Sequence, residues 1–161
     1  MQFTNNADIR ITFENEVLEL FEQHKQLSEK SLEAGGQLFA RFNEKEVVIS
    51  KATGLRNGDK RGRVLFWPNR KKEQNEIKEL FGEGYHYVGD WHSHPESIPT
   101  PSKIDLESMA ECYSQSKHDL KYFIMVIVGT DNFPNGMHVS AHNSDQIIKL
   151  NFLHVHEVNV S

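Results

Sequence analysis

Two imidazoles, a hydroxyl and a carboxylate fall within fourteen residues of this chain: His92-Ser93-His94-Pro95, then Ser102 and Asp105. The preceding run, Tyr85 to Trp91, is aromatic and β-branched enough to predict a strand. Residues two apart on a strand project from one face, so His92 and His94 should point side by side. Ile98-Pro99-Thr100-Pro101 reads as a stiff turn, and Ser102 to Gln115 has the composition of a helix, with Thr100 as its cap and Pro101 at its first position. Ser102 and Asp105, three apart, would share a face of that helix. Two histidines from a strand end and one carboxylate from a helix's first turn make a three-ligand site with a fourth position open, the arrangement of catalytic zinc. Ser102-x-x-Asp105 also fits a simple capping box, a reading that leaves the His-x-His pair unexplained. A second such pair, His154-Val155-His156, is followed by no turn and carboxylate, and reads as one face of a closing strand.

The elements that must position these groups can be traced along the chain. Phe13 to Glu33 carries Val17, Leu18, Leu20, Phe21 and Leu27 among acids and lysines, which predicts an amphipathic helix. Gln37 to Phe42 and Glu46 to Thr53 read as two strands around a turn at Asn43-Glu44-Lys45, and Arg63 to Trp67 as another strand. Pro68 opens a charged helix that ends at Gly82. Tyr122 to Val128 is continuously apolar, as in a strand buried on both faces. Met137 to Ala141 and Gln146 to Val155 supply closing strands. Strands alternating with three helices predict an α/β (mixed α+β) fold, a mixed sheet with helices packed on it. No repeat or linker divides residues 1–161, so one domain is expected.

Composition narrows the classes. At 161 residues with 37% hydrophobic and 25% charged residues, the chain can build a proper core as an ordinary soluble domain. A net charge of -5 argues against nucleic-acid binding. No apolar run is long enough to span a bilayer and no signal peptide is evident, so no membrane partner and a cytoplasmic location are expected. Cys112, alone, cannot form an internal disulfide and reads as a small buried apolar residue. Trp91 reads as packing beside the histidines. The loop Gly54 to Arg63, with Arg56, Lys60, Arg61 and Arg63, is either a solvated loop or a surface for an acidic partner patch.

His92-x-His94, Pro95, seven intervening residues and Ser102-x-x-Asp105 together resemble the motif of the JAMM (MPN-type) zinc metallopeptidases. Glu33-Ala34-Gly35-Gly36 resembles the family's upstream glutamate near a Gly-Gly pair. The resemblance spans about Glu14 to Leu150. It is nearest to short prokaryotic members, above all the deconjugating peptidases of cyclic-oligonucleotide antiphage systems. It implies a curved sheet of cytidine-deaminase-like architecture and one catalytic Zn2+ held by His92, His94 and Asp105. Glu33 would be the general base, since a water activated by a metal still needs a group to take its proton and pass it to the leaving nitrogen. Ser102 would donate to the oxyanion. Deamination is excluded because one cysteine cannot supply the Pro-Cys-x-x-Cys of the base deaminases.

The implied substrate is the peptide or isopeptide bond after the C-terminal tail of a ubiquitin-like modifier, or a conjugated protein such as a cyclic-nucleotide synthase. The chain lacks room for long ubiquitin-gripping insertions, so a bacterial ubiquitin-like tail fits better. A hydrolase of small cell-wall or sulfur-carrier peptides is the alternative, and a non-catalytic MPN scaffold ranks last because all five site positions are filled.

Overall fold

The computed structural model describes residues 1–154. Eleven strands and three helices follow one another as β1 (Gln2–Thr4), β2 (Arg10–Phe13), α1 (Asn15–Gln23), β3 (Gly35–Phe42), β4 (Val47–Ala52), β5 (Lys60–Arg61), β6 (Phe66–Trp67), α2 (Arg70–Gly82), β7 (His86–Ser93), α3 (Lys103–Gln115), β8 (Phe123–Val128), β9 (Met137–His142), β10 (Ile147–Lys149) and β11 (Asn151–Phe152). Nine strands form one sheet in the order β10-β9-β8-β7-β3-β4-β2-β1-β11. The pairs β2–β4 and β7–β8 are parallel and the others antiparallel, the mixed sheet expected from the sequence. β10 and β11 sit at opposite ends of that order although Leu150 alone separates them in the chain. The sheet therefore curls until its two edges come together, nearly a barrel.

β8 is buried along its whole length, as its unbroken apolar run predicts. Ile124, Val126 and Val128 join one core with Phe13, Phe21, Leu38, Ile49 and Trp91. Phe123, Met125 and Ile127 point the other way and meet Met109 of α3, with Leu106 and Cys112 packed around them. α1 lays Val17 and Phe21 into the first core, where Phe21 stacks on Trp91 at 5.1 Å between ring centroids. Trp91 is thus core, and its indole N–H donates to the Thr53 carbonyl at 2.8 Å.

Several sequence expectations are corrected. The first helix stops at Gln23 instead of running to Glu33. Beyond it Leu27 is exposed and Ser28 and Ser31 bond each other in a turn, so no apolar face remains to be buried. The strand expected at Arg63 to Trp67 shrinks to β6, which pairs with β5 as a separate ribbon. The closing strand breaks at Leu150, whose N–H turns to the Val139 carbonyl, and the described part of the second His-x-His pair, His154, lies past β11. His156 lies outside the described residues. β1 and β2 were not anticipated at all.

Candidate metal centre

β7 carries His92 and Ser93, with His94 just beyond its end. Alternation along the strand sends Trp91 and Ser93 to the core and the two histidines to the opposite face, under the start of α3. The His92 and His94 Nε2 atoms approach to 3.1 Å. Asp105 closes the group, its Oδ1 lying 3.1 Å from His92 Nε2 and its Oδ2 3.3 Å from His94 Nε2. A tetrahedral ion with arms of about 2.05 Å needs ligand atoms about 3.3 Å apart. The separations are close to that edge but run to two different oxygens of Asp105, so the three side chains converge within reach of one small cation, and their imidazole and carboxylate chemistry suits it.

Asp105 is aimed by the helix terminus itself. Ser102, not Thr100, is the N-cap of α3, and Pro101 lies outside the helix. The Ser102 N–H donates to Asp105 Oδ2 at 2.7 Å, and Ser102 Oγ accepts from the Asp105 N–H at 3.2 Å. This is a complete capping box, so the capping reading is correct as geometry and coexists with the carboxylate facing both histidines. The Ser102 oxygen is an acceptor in that box, which leaves its O–H to donate elsewhere from an exposed position.

Glu33 does not close a helix. It lies in irregular chain two residues before β3, only 6% exposed. Its N–H donates to the Gly62 carbonyl at 2.7 Å, and its carbonyl accepts from Arg61 Nε at 2.8 Å. One oxygen of its carboxylate and one nitrogen of each site histidine lie within 4.8 Å of one another, a grouping that could itself hold a metal. The Gly-Gly pair after it is required by close approach. A Cβ on Gly36 would meet the Thr53 carbonyl oxygen at 1.9 Å, and one on Gly35 would meet the Phe66 ring at 2.7 Å. Gly35 pairs with His92 across the sheet, which carries Glu33 to the histidines.

The electrostatics follow from this crowding. Burial raises the Glu33 pKa above its ordinary value, partly offset by the two histidines, while Asp105 adds to the rise. Burial also works against ionised Asp105, but the hydrogen bonds from His92 and His94 outweigh it and hold the carboxyl well below the usual range. For His94 burial favours the neutral ring, yet the bond and charge of Asp105, with Glu33 and Glu96 beyond, raise its pKa.

The family model for prokaryotic homologs of the JAB domain matches residues 15–142. The chain belongs to that family. It is 34% identical over 120 residues to a Pseudomonas aeruginosa protein named CD-NTase/cGAS isopeptidase, covering 73% of this chain and 75% of that one. A Vibrio cholerae protein of the same name is 25% identical over 134 residues, 81% of this chain and 83% of its relative. The solution structure of a Desulfitobacterium hafniense protein superposes with a TM-score of 0.63 at 18% identity, over 86% of this chain and 88% of that one. It shares the fold.

Within this JAB domain, sequence reasoning missed two residues that hold the site together. Ser93, fully buried between the histidines, accepts from the Ala34 N–H at 2.9 Å and donates to Gln26 Oε1 at 2.9 Å. Gln26, also buried, donates in turn to the Arg63 carbonyl at 2.8 Å. Only the hydroxyl in His-Ser-His hinted at this, since the partners lie far off in sequence. The basic loop is largely committed to its own chain. Arg56 grips Glu76 at 2.6 Å with its side chain almost wholly buried, and Arg61 and Arg63 donate to the carbonyls of Glu33 and Glu29. Cys112 is half-buried, 3.3 Å from the Tyr87 hydroxyl. No helix among the described residues is long and apolar enough to cross a membrane.

Proposed function

We propose that this chain is a Zn2+-dependent isopeptidase that hydrolyses the bond after the C-terminal tail of a ubiquitin-like modifier on a conjugated protein. The observation that carries the reading is the convergence of His92, His94 and Asp105, with facing N and O atoms 3.1–3.3 Å apart, and the buried Glu33 carboxylate beside the two histidines. His92, His94 and Asp105 would hold the ion, which when bound would polarise the scissile carbonyl and make water more acidic. Glu33 accepts the proton of the attacking water as its oxygen bonds to the carbonyl carbon. Its buried carboxylate beside the two histidines is placed as a group that must take a proton and then release it. Ser102 donates its O–H to the oxyanion, a contribution of about 3 kcal/mol for a well-placed donor. When the C–N bond breaks, Glu33 returns the proton to the departing amine.

The relatives' name, CD-NTase/cGAS isopeptidase, supports a conjugate of a cyclic-nucleotide synthase as the substrate and reversal of conjugation in a bacterial antiphage system as the role. A cytoplasmic location accords with such a substrate. One domain over residues 1–161 is part of the same reading.

The test pairs metal analysis with cleavage. Purified protein should carry about one equivalent of zinc, lost in His94→Ala, and should cut a modifier fusion at the modifier's last residue by mass spectrometry. Glu33→Gln should keep the metal and lose turnover about 100-fold or more. Full zinc occupancy in His94→Ala, or unchanged cleavage by Glu33→Gln, overturns the assignment.

A further inference from the structure

The ring of His94 has a second nitrogen that the metal centre leaves unused. Its Nδ1 is buried from solvent and has no hydrogen-bond partner among the described residues. A histidine bound to a cation through Nε2 must carry its proton on Nδ1, and a buried N–H without an acceptor is destabilising. Glu96 Oε1 lies 3.3 Å from that nitrogen, off the line of a good hydrogen bond. The Glu96 side chain is half exposed, so a small rotation would close the bond without disturbing the core.

Glu96 is anchored on the other side. Its Oε2 accepts from the Thr100 N–H at 3.3 Å and from the Thr100 hydroxyl at 3.4 Å. Its carbonyl accepts from the Thr130 N–H at 2.8 Å, tying it to the loop after β8. One carboxylate thereby spans from His94 to the turn that leads into Ser102 and Asp105.

We infer that Glu96 is a positioning residue for the metal centre: its carboxylate accepts the His94 Nδ1–H and fixes the tautomer that turns Nε2 to the ion. Such outer partners of a ligating histidine typically change metal affinity 10–100-fold. The inference rests on the metal reading above.

The experiment measures zinc affinity by chelator competition and follows the His94 Nδ1–H proton by NMR in zinc-loaded protein. Wild type should show a slowly exchanging, downfield Nδ1–H. Glu96→Ala should weaken zinc binding about 10–100-fold and lose that resonance, with its unfolding midpoint unchanged. Glu96→Gln keeps one amide oxygen for the His94 Nδ1–H but sets an NH2 where Oε2 accepts from Thr100, so it should restore part of the affinity. Thr100→Val, which removes only the hydroxyl bond, should bind zinc as wild type does. Unchanged affinity and an unchanged Nδ1–H signal in Glu96→Ala overturn the inference and leave the metal reading standing. An equal loss in Thr100→Val also overturns it, by making loop order the cause. A wild-type chain that takes up no zinc removes both.

Discussion

Replacing Ser93 by alanine removes one oxygen from a fully buried position, and the structure fixes what that oxygen was doing. It accepts the Ala34 N–H and donates to Gln26 Oε1, both at 2.9 Å. Each bond is worth about 1 kcal/mol net, but the larger loss is the stranding of an amide donor and an amide oxygen where no water reaches, at about 1–3 kcal/mol each. Ser93→Ala should therefore destabilise by about 2–5 kcal/mol. Over a chain of this size that lowers Tm by about 6–15 °C. The Ala34 amide belongs to the residue after Glu33, so turnover should fall together with stability. Urea unfolding gives the free energy directly, and a double-mutant cycle isolates the cause. With Gln26→Met in the background, Ser93→Ala should cost at least about 1 kcal/mol less, because Gln26 Oε1 is no longer there to be stranded. A loss below about 0.5 kcal/mol, or strict additivity of the pair, would refute the clamp.

Two further predictions concern groups outside the proposed ligand set. Arg56→Ala should cost about 3–5 kcal/mol in urea unfolding, because Glu76 and Asp59 lose the guanidinium that bridges the loop after β4 to α2; a cost under 1 kcal/mol would make the contact superficial. His138 and His142 flank Ser140 on β9, with their Nε2 atoms 3.0 and 2.7 Å from its hydroxyl, and burial pushes both pKa values down to about 4. The unfolded chain takes up these protons near pH 6.5 and the folded chain only near pH 4, so stability is fully present above 6.5 and falls as pH drops through that window. Urea midpoints should decline from pH 7 to pH 5, and less steeply in His142→Gln; equal declines in both proteins would count against the assignment.

What was legible in the sequence was what local rules determine. Period-two alternation placed His92 and His94 on one face, and the unbroken run in β8 announced burial on both sides. β1 and β2 escaped because they are three and four residues long with polar Gln2, Thr4 and Arg10 among them, and their order comes from pairing with β11 and β4 across the chain. Ser93 escaped because its hydroxyl bonds Gln26, 67 residues away, a relation that no window contains. Glu96 escaped because its importance depends on a rotamer. The helix start is the instructive error. Thr100-Pro101 and Ser102-x-x-Asp105 were competing start signals, and capping was set against chemistry as an alternative for Ser102 and Asp105.

The geometry dissolves that opposition. The Ser102 N–H that completes the capping box pins Asp105 Oδ2, and so turns Oδ1 toward His92. An N-cap at Thr100 would start the helix two residues earlier and deprive Asp105 of that anchor. The same box uses the serine oxygen only as an acceptor, which leaves its proton free to be given to something else. A helix terminus that satisfies its own orphan amides thus also orients the carboxylate and leaves the hydroxyl proton free, so the capping preference and the proposed catalytic roles call for the same two residues at the same spacing.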